Sequence, residues 1–241
     1  MRERVFLIGS RDGAFFTFPK PTHGSAMTSD LFETDSLLPF KTAWDALGDL
    51  PQENLDPLLK VGGKWGDLLP SIPEGENYLW HTNRGGGQPL FGWRTRYWSF
   101  MLKLAKNKPS WTIQAQPGSA VGPFHWTNRK LTAQEMCRIQ TFPDGLVFES
   151  SRTDIQKMLG NAVPSLLAEV LAKEIRKQLL GHSHVRSTLK LIPPVRNPVP
   201  RSERVKPLAK KYHSYIGEHD DHPGEGKGRG AKDRSTNTAF A

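Results

Sequence analysis

The sequence is almost without cysteine. Cys137 is the only one in 241 residues, which excludes an intramolecular disulfide and a cysteine-rich zinc site and fits a reducing compartment. Long apolar runs are missing too: none approaches the roughly 20 residues that a membrane-spanning helix needs. The opening Met1-Arg2-Glu3-Arg4-Val5-Phe6-Leu7-Ile8-Gly9 turns from charged to apolar, but its apolar part is too short for a signal peptide. The eight histidines show no metal-ligand spacing. His213, His219 and His222 beside Asp220-Asp221 read as a solvated polar segment rather than a metal site. Gly85-Gly86-Gly87 lacks the strand and helix that would frame a phosphate-cradling turn, so it reads as a loop. A soluble protein without membrane partner or metal is the expectation.

What is present is enough to build a core. Hydrophobic residues make up 37% of the chain, with 7 Trp and 12 Phe, and this composition argues against wholesale disorder. The net charge of +9 is unevenly placed: from Gly181 onward 12 Lys and Arg face 6 Asp and Glu, against 21 and 18 before it. A basic total points to an anionic partner, most commonly nucleic acid, but the first 180 residues alone would not support that inference.

Periodicity and punctuation place the elements. Val5 to Ile8 reads as a strand buried on both faces, and Trp111 to Ala115 as a second possible strand. Thr42 to Leu47 has a short helical pattern closed by Gly48-Asp49 and Pro51. Glycine and proline from Pro51 to Gly92 demand short elements. Thr132-Ala133-Gln134-Glu135 has the form of a capping box, so a helix starts there and ends before Phe142-Pro143-Asp144-Gly145. A longer helix opens near Pro164, carries Val163, Leu167, Leu171, Ile175 and Leu179 as an apolar stripe, and stops at Gly181. This stripe needs a large apolar surface to lie on. Beyond Gly181, repeated prolines and glycines predict a basic, mostly disordered tail.

Three separated segments carry a family resemblance. Arg2-Glu3-Arg4-Val5-Phe6-Leu7-Ile8-Gly9 resembles the RxR-plus-strand eighth motif of DNA cytosine-5 methyltransferases. Arg129-Lys130-Leu131-Thr132-Ala133-Gln134-Glu135, running through Arg138-Ile139-Gln140-Thr141-Phe142-Pro143-Asp144, is similar to the ninth. Gly160-Asn161-Ala162-Val163-Pro164 and the following helix resemble the tenth. They stand in the family's order, and the interval between the first two suits a target-recognition domain.

The resemblance implies double-stranded DNA as partner and S-adenosyl-L-methionine as methyl donor. It also implies a flipped cytosine, because C5 is blocked by stacking inside a duplex. Arg4 is then the cation near the cytosine O2 that stabilises charge developing on the ring, with Arg2 supporting it. Thr112-Ile113 looks like the Thr–aliphatic dipeptide of these recognition domains, where the hydroxyl holds a phosphate beside the flipped nucleotide. Base-edge contacts are expected from residues of Trp80-His81-Thr82-Asn83-Arg84 with its glycine loop, Arg84 among them, and from Arg94 and Arg96. The aromatic neighbours Trp93, Tyr97 and Trp98 are expected in the core. Asn161, with Ala162 and Val163, would border the methyl donor; capping the following helix is a further expectation for Asn161. Arg129 and Arg138 are expected to anchor the ninth motif internally.

Other family features are not found in this sequence. The family's nucleophile is a cysteine after a proline, whereas Cys137 follows Met136 inside the ninth-motif helix and reads as a packing residue. Glu76-Asn77-Tyr78 copies two letters of the family's acid element but falls on the wrong side of the eighth motif. The chain therefore resembles a C-terminal half that begins within the eighth motif. Its expected fold class is α/β: an α+β recognition domain plus a strand and a long helix from an incomplete Rossmann-like methyltransferase domain. The expected division is 1–11, a recognition domain at 12–128, motifs and returning helix at 129–180, and the tail at 181–241. The readings that stay open are a cytoplasmic bacterial subunit completed by an N-terminal methyltransferase subunit, a catalytically inactive DNA-binding remnant, and a basic nucleic-acid-binding domain unrelated to methylation.

Overall fold

A computed structural model describes residues 5–24, 37–53, 56–93, 97–116, 118–182, 198–217 and 219. Its architecture is mixed α/β, with one small sheet and few helices. The chain divides into two compact units. Unit 1 gathers Met1–Leu55, Ala105–Pro117 and Leu131–Arg201; unit 2 gathers Asp56–Leu104, Gly118–Lys130 and Ser202–Ala241. No described helix is long and apolar enough to cross a membrane.

Among the described residues, unit 1 holds the sheet and four α-helices. Strands β1 (His23–Gly24) and β2 (Leu38–Pro39) pair in parallel. Helix α1 (Ala43–Leu47) starts at a full capping box: Thr42 Oγ1 accepts the Asp45 N–H at 3.2 Å, and the Asp45 carboxylate accepts the Thr42 N–H at 2.7 Å. Its next orphan donors, the N–H groups of Ala43 and Trp44, reach the carbonyls of Lys108 and Lys106 at 2.8 and 3.1 Å. Helix α2 (Ala133–Ile139) repeats the device with Thr132 and Glu135. Arg138 ties the two helices together. Its guanidinium donates to Asp49 at 3.0 Å, to the Ala46 carbonyl at 3.3 Å and to the Asp144 carboxylate. The expectation that Arg138 anchors the ninth motif internally agrees with this geometry.

Helices α3 (Arg152–Asn161) and α4 (Ser165–Gln178) follow. The sequence reading missed α3. Ser151 caps it by accepting the Asp154 N–H at 3.2 Å, and Ile155 and Leu159 are buried. Helix α4 falls where the apolar repeat put it, although Pro164 is its N-cap rather than its first helical residue. None of its residues is buried, and Val163 and Leu167 remain 39% and 38% exposed. The apolar stripe is thus covered only in part: Leu171, Ile175 and Leu179 are half-buried, and the Thr17 backbone pairs with the Gln178 side chain at 2.9 Å.

Two expected strands do not form. Val5 to Ile8 joins no ladder among the described residues, and Val5 and Leu7 are 87% and 92% exposed. β-propensity alone cannot make a strand without an edge to pair with. Trp111 to Ala115 also stays outside any sheet, fixed instead by the α3 contacts described below.

Unit 2 is built from short pieces, as its glycine and proline content requires. Three 3₁₀ turns, Pro57–Leu59, Gly66–Ser71 and Tyr78–His81, surround a core that includes Leu68, Leu69, Ile72, Tyr78, Met101 and Phe124. The glycine triad is a collar for one indole. A Cβ on Gly86 would meet the Trp80 ring at 2.4 Å, and one on Gly85 would meet the Trp80 carbonyl at 2.2 Å. The expected disordered tail is corrected in part. Residues 202–217 belong to unit 2, where a fourth 3₁₀ turn, Lys210–Tyr215, buries Tyr212 against Trp65 with ring centroids 5.4 Å apart. The Tyr212 hydroxyl donates to the Lys64 carbonyl at 2.9 Å, which explains why so polar a segment can be ordered. Of the rest of the tail, 183–197, 218 and 220–241 lie outside the described residues.

Lys103 is the unusual charge of unit 2. It is 3% exposed and donates through Nζ to the Ile72 carbonyl. Burial pulls its ammonium down to about 8, against the opposing pull of Glu74 and Glu203. Because an unfolded lysine holds its proton to about 10.4, the unfolded chain binds more protons between the two values. Stability from this group therefore rises as pH climbs from 8 toward 10.5 and is absent below 8. The unfolding free energy of the wild type, read from urea titration, is expected to gain on that of Lys103→Met by about 3 kcal/mol across this window. Parallel pH profiles would refute the assignment.

Candidate functional site

The ninth motif ends in a knuckle that receives two other helices of unit 1. Thr141 sits in the left-handed region at φ 58°. The Gln140 carbonyl accepts the Ser165 N–H at 3.2 Å, and Thr141 Oγ1 accepts the Leu166 N–H at 2.9 Å. These are orphan donors of the first turn of α4, which Pro164 has no side-chain oxygen to satisfy. The Gln140 side-chain amide donates to the Leu159 carbonyl at 2.8 Å near the end of α3. One dipeptide thus fixes both ends of the Gly160–Pro164 turn.

That turn lies against the Thr112–Ala115 segment. A Cβ on Gly160 would fall 2.6 Å from both the N and Cα of Ala115, so only glycine permits the approach. Gln156 of α3 donates to the Gln114 carbonyl at 3.1 Å. Ile113 is buried, and Thr112 is half-buried. A cavity of about 540 Å³ opens here, lined among others by Phe6, Lys41, Thr112, Gln140, Pro164 and Leu167. Its volume lies within the usual ligand-pocket range of about 300–1,000 Å³. Segments that resemble the eighth, ninth and tenth motifs and the recognition dipeptide all contribute to its wall.

The expected site residues distribute as follows. Thr112 and Ile113 line the cavity, and Asn161, Ala162 and Val163 form the turn beside Pro164. Asn161 is the last residue of α3, with its side chain exposed; it does not cap α4, whose N-cap is Pro164. Arg2, Arg4, Arg94 and Arg96 lie outside the described residues; Phe6, two positions beyond Arg4, is in the cavity wall. Arg84 belongs to unit 2, where its exposed guanidinium lies over the Trp93 ring at 4.1 Å.

Three expectations around Arg84 need correction. His81 and Thr82 are buried, so neither presents itself to a base edge. Ser71 and the Gln88 carbonyl hold the His81 ring at 2.9 and 3.0 Å, and burial keeps its pKa below the usual imidazole value. Tyr97 and Trp98, expected in the core, are 58% and 46% exposed. Asn77 holds the Trp98 backbone carbonyl at 2.8 Å, which leaves the ring outside the core.

Cys137 is 5% exposed on the packed face of α2, and burial, with Asp144 adding to it, pushes its thiol up. A nucleophilic thiolate needs the opposite setting. The packing reading of Cys137 agrees with this geometry. Residues missed by sequence reasoning are Gln140, Thr141, Gly160, Gln156 and Lys41. Gly160 stood in the tenth-motif turn without its contact being foreseen; Gln140, Thr141 and Gln156 act through partners distant in sequence, and Lys41 lines the cavity.

A family model for the C-5 cytosine-specific DNA methylase matches residues 1–177. The chain is 41% identical over 198 residues to the type II methyltransferase M.SacI of Streptomyces achromogenes, covering 78% of this chain and 50% of that protein. It is 34% identical over 178 residues to M.NgoFVII of Neisseria gonorrhoeae, covering 72% and 45% respectively. M.BsuRI of Bacillus subtilis is 30% identical over 212 residues, covering 76% and 40%. The chain belongs to the C-5 cytosine-specific DNA methylase family. It spans about half the length of these curated relatives.

The Gly160 contact gives a direct test of the site's architecture. Gly160→Ala is expected to destabilise the chain by about 1–3 kcal/mol, read as a lowered urea midpoint. An unchanged midpoint would mean that the turn has room to spare.

Proposed function

We propose that this chain is the C-terminal part or subunit of a DNA (cytosine-5)-methyltransferase that recognises a DNA site and helps transfer methyl from S-adenosyl-L-methionine to a flipped cytosine. The observation that carries this reading is the cavity in unit 1, where Thr112 meets the Gly160–Pro164 turn and Gln140. On this reading the strand-like run at 1–11 and helix α4 belong to an incomplete Rossmann-like domain. Target recognition falls on the stretch 12–128. The half-exposed stripe of α4 supports it, with Val163 and Leu167 39% and 38% exposed, because exposed apolar surface is association-prone unless another surface meets it.

The residues divide the work by chemistry. Arg4, supported by Arg2, faces the charge that builds on the pyrimidine as C6 is attacked. The Thr112 hydroxyl, which has no hydrogen-bond partner among the described residues, holds a phosphate next to the flipped nucleotide, and Ile113 packs behind it. Arg84, Arg94 and Arg96 supply contacts to base edges or phosphates. Nucleophile and general acid come from a partner chain, an N-terminal methyltransferase subunit, because Cys137 is buried with its thiol pKa raised. The donor supplies the electrophilic methyl group when bound. The fit of this chain to it is partial: Asn161, Ala162 and Val163 offer one amide and an apolar edge. No carboxylate is among the described residues that line the cavity; on this reading most donor contacts fall to the partner.

A second reading rests on the same buried thiol: an inactive, DNA-binding remnant of such an enzyme. The two separate in one assay. The chain, the N-terminal half of M.SacI, and both together are incubated with duplex DNA and donor carrying a labelled methyl group. Label is expected on cytosine only in the mixture, and Arg4→Ala should lower that rate by about 10²-fold. DNA binding with no labelling in any mixture would favour the remnant, and labelling by this chain alone would defeat both readings.

A further inference from the structure

Residues 198–217 follow the part matched by the family, which ends at 177, and they carry five Lys and Arg against one acid. The stretch at 202–217 is tied to unit 2 along its length. The Glu203 N–H donates to the Glu74 carboxylate at 2.7 Å, and the Lys206 N–H to the Pro70 carbonyl at 2.9 Å. Leu208 and Ala209 pack on the core, and the Gly217 N–H reaches the Pro89 carbonyl at 3.2 Å.

The final 3₁₀ turn sorts its side chains into three rows, since residues three apart eclipse one another. Tyr212 and Tyr215 form one row, both against Trp65; Tyr212 is buried, while Tyr215 is 39% exposed, with Lys64 over its ring at 4.4 Å. In the second row Lys211 is neutralised by Asp67, and that contact draws the Asp67 carboxyl below its usual value. Lys210 and His213 make up the third row and are exposed. Arg204 and Lys206 are exposed as well, and none of Arg204, Lys206 and Lys210 has an ion pair among the described residues.

We propose that Arg204, Lys206 and Lys210 form a basic rail, held on unit 2 by Tyr212, that contacts the phosphate backbone of double-stranded DNA. This rests on the methyltransferase reading above, which makes DNA the polyanion at hand. A rail already ordered by its tyrosines loses less conformational freedom on binding than a loose basic tail would. Phosphate contacts carry no sequence information, so the rail adds affinity and register and leaves target choice unchanged.

The test uses the full chain and a fluorescein-labelled 30-base-pair duplex, with anisotropy read over a salt series. Each neutralised phosphate contributes about 0.9 to the slope of log affinity against log salt. The triple variant Arg204→Gln/Lys206→Gln/Lys210→Gln is expected to lower that slope by about 2–3, equally on unrelated duplex sequences, with its thermal unfolding unchanged. Wild type and variant with the same slope would overturn the rail while leaving the proposed function intact. A larger loss on a duplex RNA of the same length than on DNA would overturn it too. If wild type binds no duplex at all, the underlying methyltransferase reading fails, and the rail with it.

Discussion

Much of unit 1 hangs on two backbone amides at the start of α4. A helix that begins at a proline N-cap has no local oxygen for its first N–H groups, and a buried orphan donor costs about 1–3 kcal/mol. Here the acceptors come from Gln140 and Thr141, more than twenty residues upstream. Satisfying them puts Thr141 into a left-handed backbone that a β-branched residue seldom adopts. The same dipeptide holds the end of α3 through the Gln140 amide. The turn expected to border the methyl donor is therefore placed by hydrogen bonds from the ninth motif rather than by its own residues.

Arg138 makes that arrangement transmissible to the rest of unit 1. Its guanidinium bonds oxygens of Asp49, Ala46 and Asp144, so α2 is locked to α1 two residues before the knuckle begins. Helix α1 in turn takes carbonyls from Lys106 and Lys108, a few residues before Thr112. The chain of contacts closes on itself: α1 to 105–115, 114–115 to α3, α3 to Gln140, α2 back to α1. A cavity walled by such a ring keeps its shape without a sheet beneath it. Rigidity of this kind suits the proposed role of holding a flipped nucleotide in register, because misplacement by about 1 Å can cost about 10²-fold in rate.

How legible this was depends on where each cause lies. The capping boxes of Thr42 and Thr132 and the four-residue repeat of α4 act within a turn or two of their own sequence, and those helices fell where expected. Helix α3 was hidden because its polar residues Asp154, Gln156 and Lys157 and the interior Gly160 dilute a stripe of only Ile155 and Leu159; its Ser151 cap was the missed cue. Val5–Ile8 and Trp111–Ala115 have strand composition, yet a strand exists only with a partner edge, and the deciding neighbours of the second are Gln156 and Gly160. Tyr212 is the extreme case. Nothing within the proline-rich run around it announces order; Trp65, nearly 150 residues earlier, decides it. At the site, residue types were legible through the family motifs, while the knuckle that assembles them was not.

The position of Cys137 argues for the division of labour proposed above. A thiol that is to attack C6 must be ionised and reachable, which calls for an electropositive, accessible setting. The face of α2 that carries Cys137 also carries Met136 and is closed by packing; Asp144, held by Arg138, adds a negative charge nearby. To expose the thiol, α2 would have to roll away from α1 and α3, breaking the Arg138 contacts and releasing Gln140 from α3. The cost of activating Cys137 is thus the loss of the knuckle that shapes the cavity. On the proposed reading a nucleophile and this cavity are therefore not both drawn from α2, and the attacking group is assigned to the partner chain.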